Sequence, residues 1–282
     1  MANIQPFKAI RPTRDKANLV ATRSYLSYSK ETLDEKLKNN PYTFLHIIKP
    51  EYLGTNKKIS SKRYQKVKEK FIQFQKKGIY KKDTKNSFYL YQQNNNRNLF
   101  EGIIAATSIK DYNDGVIKKH ELTLNKREKM FKAYLEKTSF NAEPVLISHA
   151  SNININNIIK KYKSLRAEYE FATTNKSIHK LWVINDHKDC LILINAFKKI
   201  KNLYIADGHH RSASSALLAK TCKKINSNYF MSYLIDENQL NIINFNRLIK
   251  HTNNFTKDEL ITQIEKSFYI KEINKNEFTP NA

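Results

Sequence analysis

Five consecutive residues, Asp207, Gly208, His209, His210 and Arg211, hold the densest concentration of reactive groups in the chain. The apolar run Leu203-Tyr204-Ile205-Ala206 precedes them and the helix-forming residues 212–218 come after, so the spacing predicts a strand, a tight turn and a helix. The free N–H groups and positive dipole end of such a helix face whatever lies at the strand's carboxyl end, which suits phosphate. Glycine permits close backbone approach. His209, His210 and Arg211 supply donors, and the Ser212 and Ser214 hydroxyls fall near the first turn. Asp207 is the one acid of the cluster, and three roles are open to it: capping the helix, holding Mg2+, or taking a proton from an attacking hydroxyl. A plainer reading has Asp207 capping, Gly208 turning, and the remaining side chains in solvent. Five such residues at one turn exceed what capping requires, which favours a functional site.

A second constellation is Lys118-Lys119-His120-Glu121-Leu122-Thr123, a base, an acid and cations on a polar loop ahead of a helix. By itself it is what any surface loop supplies. His46, Lys49 and Glu51 lie just after an apolar run and suit a cleft wall, although a histidine within a strand usually belongs to the core. His149, His179 and His187 lack partners at metal-ligand spacing. The sequence contains no GxxxxGK[ST], no GxGxxG and no HExxH, which argues against ordinary P-loop kinases, Rossmann enzymes and zincins.

Several elements must position these groups. Residues 1–60 hold most of the prolines and read as short strands and turns. Tyr64, Val67, Phe71 and Phe74 then mark one face of an amphipathic helix that stops at Gly78. Residues 87–93 and 99–109 are aromatic and β-branched runs on either side of a polar Asn/Arg stretch, a hairpin pattern. A helix over 126–137, with Asn125 as its cap, carries Met130, Phe131, Tyr134 and Leu135 on one side. Residues 144–150 read as a buried strand, 157–171 as a helix, 179–186 as a strand and 191–200 as a helix. Further strands are expected at 229–235 and 242–245. The expected fold class is mixed α/β with an N-terminal strand-rich extension, and the expected organisation is an N-terminal strand/helix portion (1–110), a core (111–250) and a C-terminal segment (251–282).

With 282 residues, 40% of them hydrophobic, the chain can build a substantial core. Its net charge of +24 would ordinarily put nucleic acid first among partners. The lysines, however, are spread as short doublets such as Lys76-Lys77, Lys81-Lys82 and Lys118-Lys119, the pattern of solvated faces. Non-specific nucleic-acid binding remains a partner to test. Two cysteines, Cys190 and Cys222, suggest neither a zinc ribbon nor a disulfide framework. No apolar run reaches membrane-spanning length and charges interrupt the N-terminus, so a cytoplasmic protein without membrane contact is expected.

The segment IADGHHRSASSAL at 205–217 resembles the nucleotide-contacting segment of the ParB/sulfiredoxin-like superfamily. Together with PFKAIRP at 6–12, NPYTFLHIIKPE at 40–51, VIKKHELT at 116–123 and HKLWVIND at 179–186, it is similar to a family long known only as a domain of unknown function and related to free-serine kinases. The resemblance implies a ParB/sulfiredoxin-like nucleotide-binding core that holds ATP or ADP with Mg2+. It places Asp207, Gly208, His209, His210 and Arg211, with Ser212 beside them, at the phosphates, Asp207 at the metal, and Glu121, Asp207 and His209 at the chemistry. Two departures stand out: Arg23-Ser24-Tyr25 replaces a more usual arginine-proline-tyrosine, and members generally continue past residue 282. The leading expectation is a small-molecule kinase transferring a phosphoryl group to the hydroxyl of L-serine or a similar acceptor. The alternatives are a ParB-like nucleotide-dependent DNA-binding protein, for which no recognition helix is evident after residue 212, and a non-catalytic nucleotide-binding module.

Overall fold

The computed structural model describes residues 1–49, 61–95, 98–222, 225–241, 251 and 254–271. Met1–Gln239 forms one compact unit and Leu240–Ala282 a second. The strands are β1 (Ile4–Gln5), β2 (Ile10–Pro12), β3 (Tyr80–Lys82), β4 (Phe88–Asn94), β5 (Leu99–Ser108), β6 (Ile117–Lys118), β7 (Val145–His149), β8 (Tyr169–Ala172), β9 (Ile178–Ile184), β10 (Leu203–Asp207) and β11 (Tyr229–Asp236). The α-helices are α1 (Ala17–Val20), α2 (Lys30–Asn39), α3 (Leu45–Ile48), α4 (Ser61–Lys76), α5 (Ile109–Asn113), α6 (Asn125–Thr138), α7 (Ile153–Lys163), α8 (His187–Lys198), α9 (His209–Thr221) and, in the second unit, α10 (Lys257–Glu265).

Among the described residues, one mixed sheet of 9 strands has eight in the order β6-β10-β7-β11-β5-β4-β9-β8, with β1 off that path beside β5. The hairpin β4–β5 forms as its alternating runs predict, antiparallel with Tyr89 opposite Ile104. β11 covers the other edge of β5, and β1 continues along the β4 side of β5 at Thr107 and Ala106, where β4 has ended. Strands from both sides of residue 110 thus share one sheet, and the compact units do not follow a boundary there. Phe88, Tyr89 and Leu90 are all buried, as a strand covered on both faces requires. α7 presents Ile155, Ile158, Ile159 and Tyr162 to this core, and α8 presents Leu193, Ala196 and Phe197. Each large side chain so buried contributes about 1.5–3 kcal/mol.

A smaller core joins Val20, Ile47, Val67, Phe74, Ile79 and Tyr80. The predicted α4 stripe builds it, and just past the helix Gly78 takes φ +70°, which lets the Ile79 N–H reach back to the Phe74 carbonyl. The two-stranded β2–β3 ladder is joined to the main sheet by Arg11, which binds Asp83, Glu168 and Tyr169 together.

Several expectations need correction. Residues 1–49 hold helices α1, α2 and α3 besides two short strands, so the start of the chain is not a run of short strands and turns. Ser29 caps α2 by accepting the Thr32 N–H. His46 lies in α3, not in a strand, because the Thr43 hydroxyl accepts the Leu45 N–H and turns the chain. The helix expected over 157–171 ends at Lys163. Its apolar stripe stops at Tyr162, and Tyr169 and Phe171 then alternate with Glu168 and Glu170 to form β8. Asn125 is the first residue of α6, and Leu124 occupies the cap position. The strand expected at 242–245 and the residues Glu51, Asn96 and Arg97 lie outside the described residues. In the second unit, α10 opens with a capping box between Thr256 and Glu259. No helix among the described residues is long and apolar enough to cross a membrane.

Candidate functional site

β10 buries Leu203 and Ile205 and turns Tyr204 outward, the alternation that fixes its register, and a register shift against β7 lies between Ile205 and Asp207. Gly208 then takes φ +103° and ψ 27° at the N-cap of α9. The Ser212 N–H closes the first turn on the Gly208 carbonyl. Gly208 has no side chain to cap the helix, so the N–H groups of His209, His210 and Arg211 point out of the helix start with the positive end of its dipole. The small residues Ala213, Ser214, Ser215 and Ala216 let α9 pack against α5, α6, β7 and β11.

β6 lies parallel to β10, Ile117 beside Leu203 and Lys118 beside Tyr204, so the loop after β6 and the start of α9 emerge at the same end of the sheet. The His120 N–H donates to His209 Nε2 at 3.4 Å, and the two imidazoles meet edge to face with centroids 4.3 Å apart. A nitrogen that accepts a hydrogen bond carries no proton, so neutral His209 holds its proton on Nδ1. That nitrogen lies 3.5 Å from Glu121 Oε2. Burial, and then the neighbouring charge of His120, lower the His209 pKa below the usual imidazole value, while Glu121 and Asp207 oppose the shift. The result is a buried imidazole that accepts from a backbone donor on one side and faces a half-exposed carboxylate on the other.

The other side of the turn belongs to Arg211. Successive helical residues are rotated by about 100°, so His209 and Arg211 leave α9 on nearly opposite sides. The guanidinium folds back over Gly208 and pairs with Asp207 and with Glu143 from the loop between α6 and β7. Arg211 Nε and His210 Nδ1 are buried and have no hydrogen-bond partner among the described residues. Beyond Arg211 opens a cavity of about 400 Å³ whose walls include Phe44, Tyr64, Phe131 and Tyr134. Burial raises the Tyr134 hydroxyl to about 12, and that of Tyr64 in the same direction.

The structure thus brings Glu121, Asp207, Gly208, His209, His210 and Arg211 together at one sheet end. It does not bring Ser212 there. That residue is fully buried, and its hydroxyl donates to the His209 and Gly208 carbonyls because the small side chain faces the helix interior. Asp207 does not cap α9; its carboxylate is held by Arg211. No group of three or more His, Cys, Asp or Glu side chains suited to a metal occurs among the described residues. His46 bonds locally to the Asn40 carbonyl, His149 to the Ala150 carbonyl and His179 to the Tyr91 hydroxyl, so these three are occupied elsewhere. Sequence reasoning missed Glu143, a single acid in a loop with no pattern around it.

A family model described as "Protein of unknown function (DUF1015)" matches residues 4–280. No curated protein and no solved structure matches the chain.

Proposed function

The chain belongs to the DUF1015 family of proteins of unknown function, so its activity has to be sought in its own residues, and we propose that it is a small-molecule kinase. In this reading ATP or ADP lays its phosphates across the start of α9, and the terminal phosphoryl group passes to the hydroxyl of a small acceptor, free L-serine being the first candidate. The observation that carries it is the juxtaposition, at one strand end, of an uncapped helix start with a carboxylate 3.5 Å from a buried imidazole.

Three backbone N–H groups and the helix dipole attract polyphosphate, and the Arg211 fork adds a fixed positive charge. Phosphate oxygens would take the place of the Asp207 and Glu143 carboxylates on that guanidinium. Glu121 orients the acceptor hydroxyl and receives its proton as the new O–P bond forms. The bond to the bridging oxygen breaks, and the electron pair leaves with the shortened nucleotide. The His120 backbone fixes the imidazole through Nε2, and a shift of a few tenths of an ångström would let His209 Nδ1–H donate to Glu121 and hold it in place. Mg2+ commonly reaches such sites with the phosphates and one or two carboxylates, and Asp207, released from Arg211 by the phosphates, is the residue suited to it. The ion would neutralise charge on the transferring group.

The test is direct. Purified protein is incubated with ATP or ADP, Mg2+ and a panel of hydroxy amino acids, and products are read by mass spectrometry. A phosphorylated acceptor is expected, and Glu121→Gln should lower turnover by about 10²- to 10⁴-fold with nucleotide affinity unchanged. No product from any acceptor, or full activity in Glu121→Gln, refutes the reading.

A further inference from the structure

We infer that the aromatic cavity on the Arg211 side of the β10–α9 turn receives the nucleoside portion of the nucleotide. The inference rests on the kinase reading above and adds to it the direction in which the nucleotide lies.

Continuity is the first argument. Arg211 belongs both to the first turn of α9 and to the cavity wall, so the cavity adjoins the turn on which the phosphates would lie. The chemistry of the walls is the second. Tyr64 and Tyr134 meet edge to face at 5.4 Å, Phe131 adds a further ring, and the same cavity is lined by Arg63 and Arg211. Rings with a cationic border fit a planar heterocycle joined to a polyanion, because a heterocycle stacks on aromatic faces and guanidinium groups attract the phosphates. The Arg211 Nε–H, buried beside Gly208 and without a partner among the described residues, is one more donor at the turn. Size is the third. About 400 Å³ lies in the range of small-molecule sites, roughly 300–1,000 Å³, and is several times the bulk of a three-carbon amino acid. The cavity is therefore the wrong size for the acceptor and the right one for a nucleoside. The opposite side of the turn, where His209 and Glu121 lie, is left to the terminal phosphoryl group and its acceptor.

Binding of ATP and of inorganic tripolyphosphate, measured by calorimetry on the full chain, separates the base from the phosphates. Phe131→Ala should weaken ATP by about 10-fold or more, the size of one lost base–aromatic stack, and leave tripolyphosphate unchanged. Ala142→Trp, at an exposed loop position on the cavity wall, should do the same by filling the space, and it keeps the test valid if truncation in α6 disturbs folding. Unchanged ATP affinity in both variants, with Arg211→Ala still weakening both ligands, would overturn the cavity assignment and leave the kinase reading standing. An equal loss for ATP and tripolyphosphate in the cavity variants also overturns it. If wild-type protein binds neither ligand, the kinase reading itself fails and takes this inference with it.

Discussion

Replacing Gly208 by alanine probes the turn at its tightest point. The residue sits at φ +103°, a backbone conformation that costs an L side chain roughly 1–3 kcal/mol. An added Cβ would also lie 2.9 Å from both Arg211 Nε and Nη2, so the guanidinium must swing away. In doing so it gives up its pairs with Asp207 and Glu143, which are 72% and 69% exposed and worth at most about 1 kcal/mol each after solvent screening. The expected total is about 1–5 kcal/mol, or a Tm lowered by about 2–20 °C for a unit of this size. Thermal unfolding by circular dichroism measures it. The steric part requires Arg211, so in an Arg211→Ala background Gly208→Ala should lose only the conformational share, leaving a coupling of about 1 kcal/mol. Equal losses in both backgrounds would refute the contact with Arg211, and an unchanged Tm in the single variant would refute the backbone argument.

Two further outcomes rest on the buried histidines and on the net charge. Burial lowers the pKa of His46, His149, His179 and His209 below 6.5, so the unfolded chain binds more protons between the two values. Stability from these residues is present above about pH 6.5 and is lost as pH falls through the folded values, by up to about 1.4 kcal/mol per pH unit for each group. Urea midpoints between pH 8 and 5 should fall on acidification and fall less in His149→Gln; a flat profile contradicts the argument. The charge of +24 should give only salt-sensitive, sequence-independent DNA binding, with Kd no tighter than about 10⁻⁴–10⁻⁶ M at physiological salt, measured by fluorescence anisotropy. A sequence-specific complex at that salt would point to the DNA-binding alternative.

The turn was legible because its pattern is local: buried and exposed positions alternate in 203–206, a glycine comes after them, and small helix formers come next. The proximity of Glu121 to His209 was not readable from either segment alone. It depends on β6 pairing parallel to β10 across some eighty intervening residues, a register set by burial of Ile117 and Leu203. Periodicity located α4, α6 and the β4–β5 hairpin for the same local reason. It failed where a short apolar run fits two structures, as in Leu45–Ile48, where Leu45 and Ile47 are both buried yet the chain is helical. The cavity is a tertiary product of α4, α6, α9 and the segment around Tyr25, and none of these announces it separately. Ser212 misled because its type suits a phosphate contact while its place on the helix points it inward.

The shortness of β6 has a consequence for timing. Two residues, paired on one side with β10, tether the loop that bears Glu121, and past them Leu122 stands 96% exposed. So small a ladder opens locally at a fraction of the free energy that unfolds the sheet, and such openings fall in the microsecond-to-second range of segments that admit and release ligands. Each opening would part the carboxylate from the imidazole while α9 and its N–H groups stayed fixed. Amide exchange at Lys118, Lys119 and His120 should therefore run far ahead of exchange at Leu203 and Ile205, making the edge strand a latch that sets how often the acid and the helix start meet.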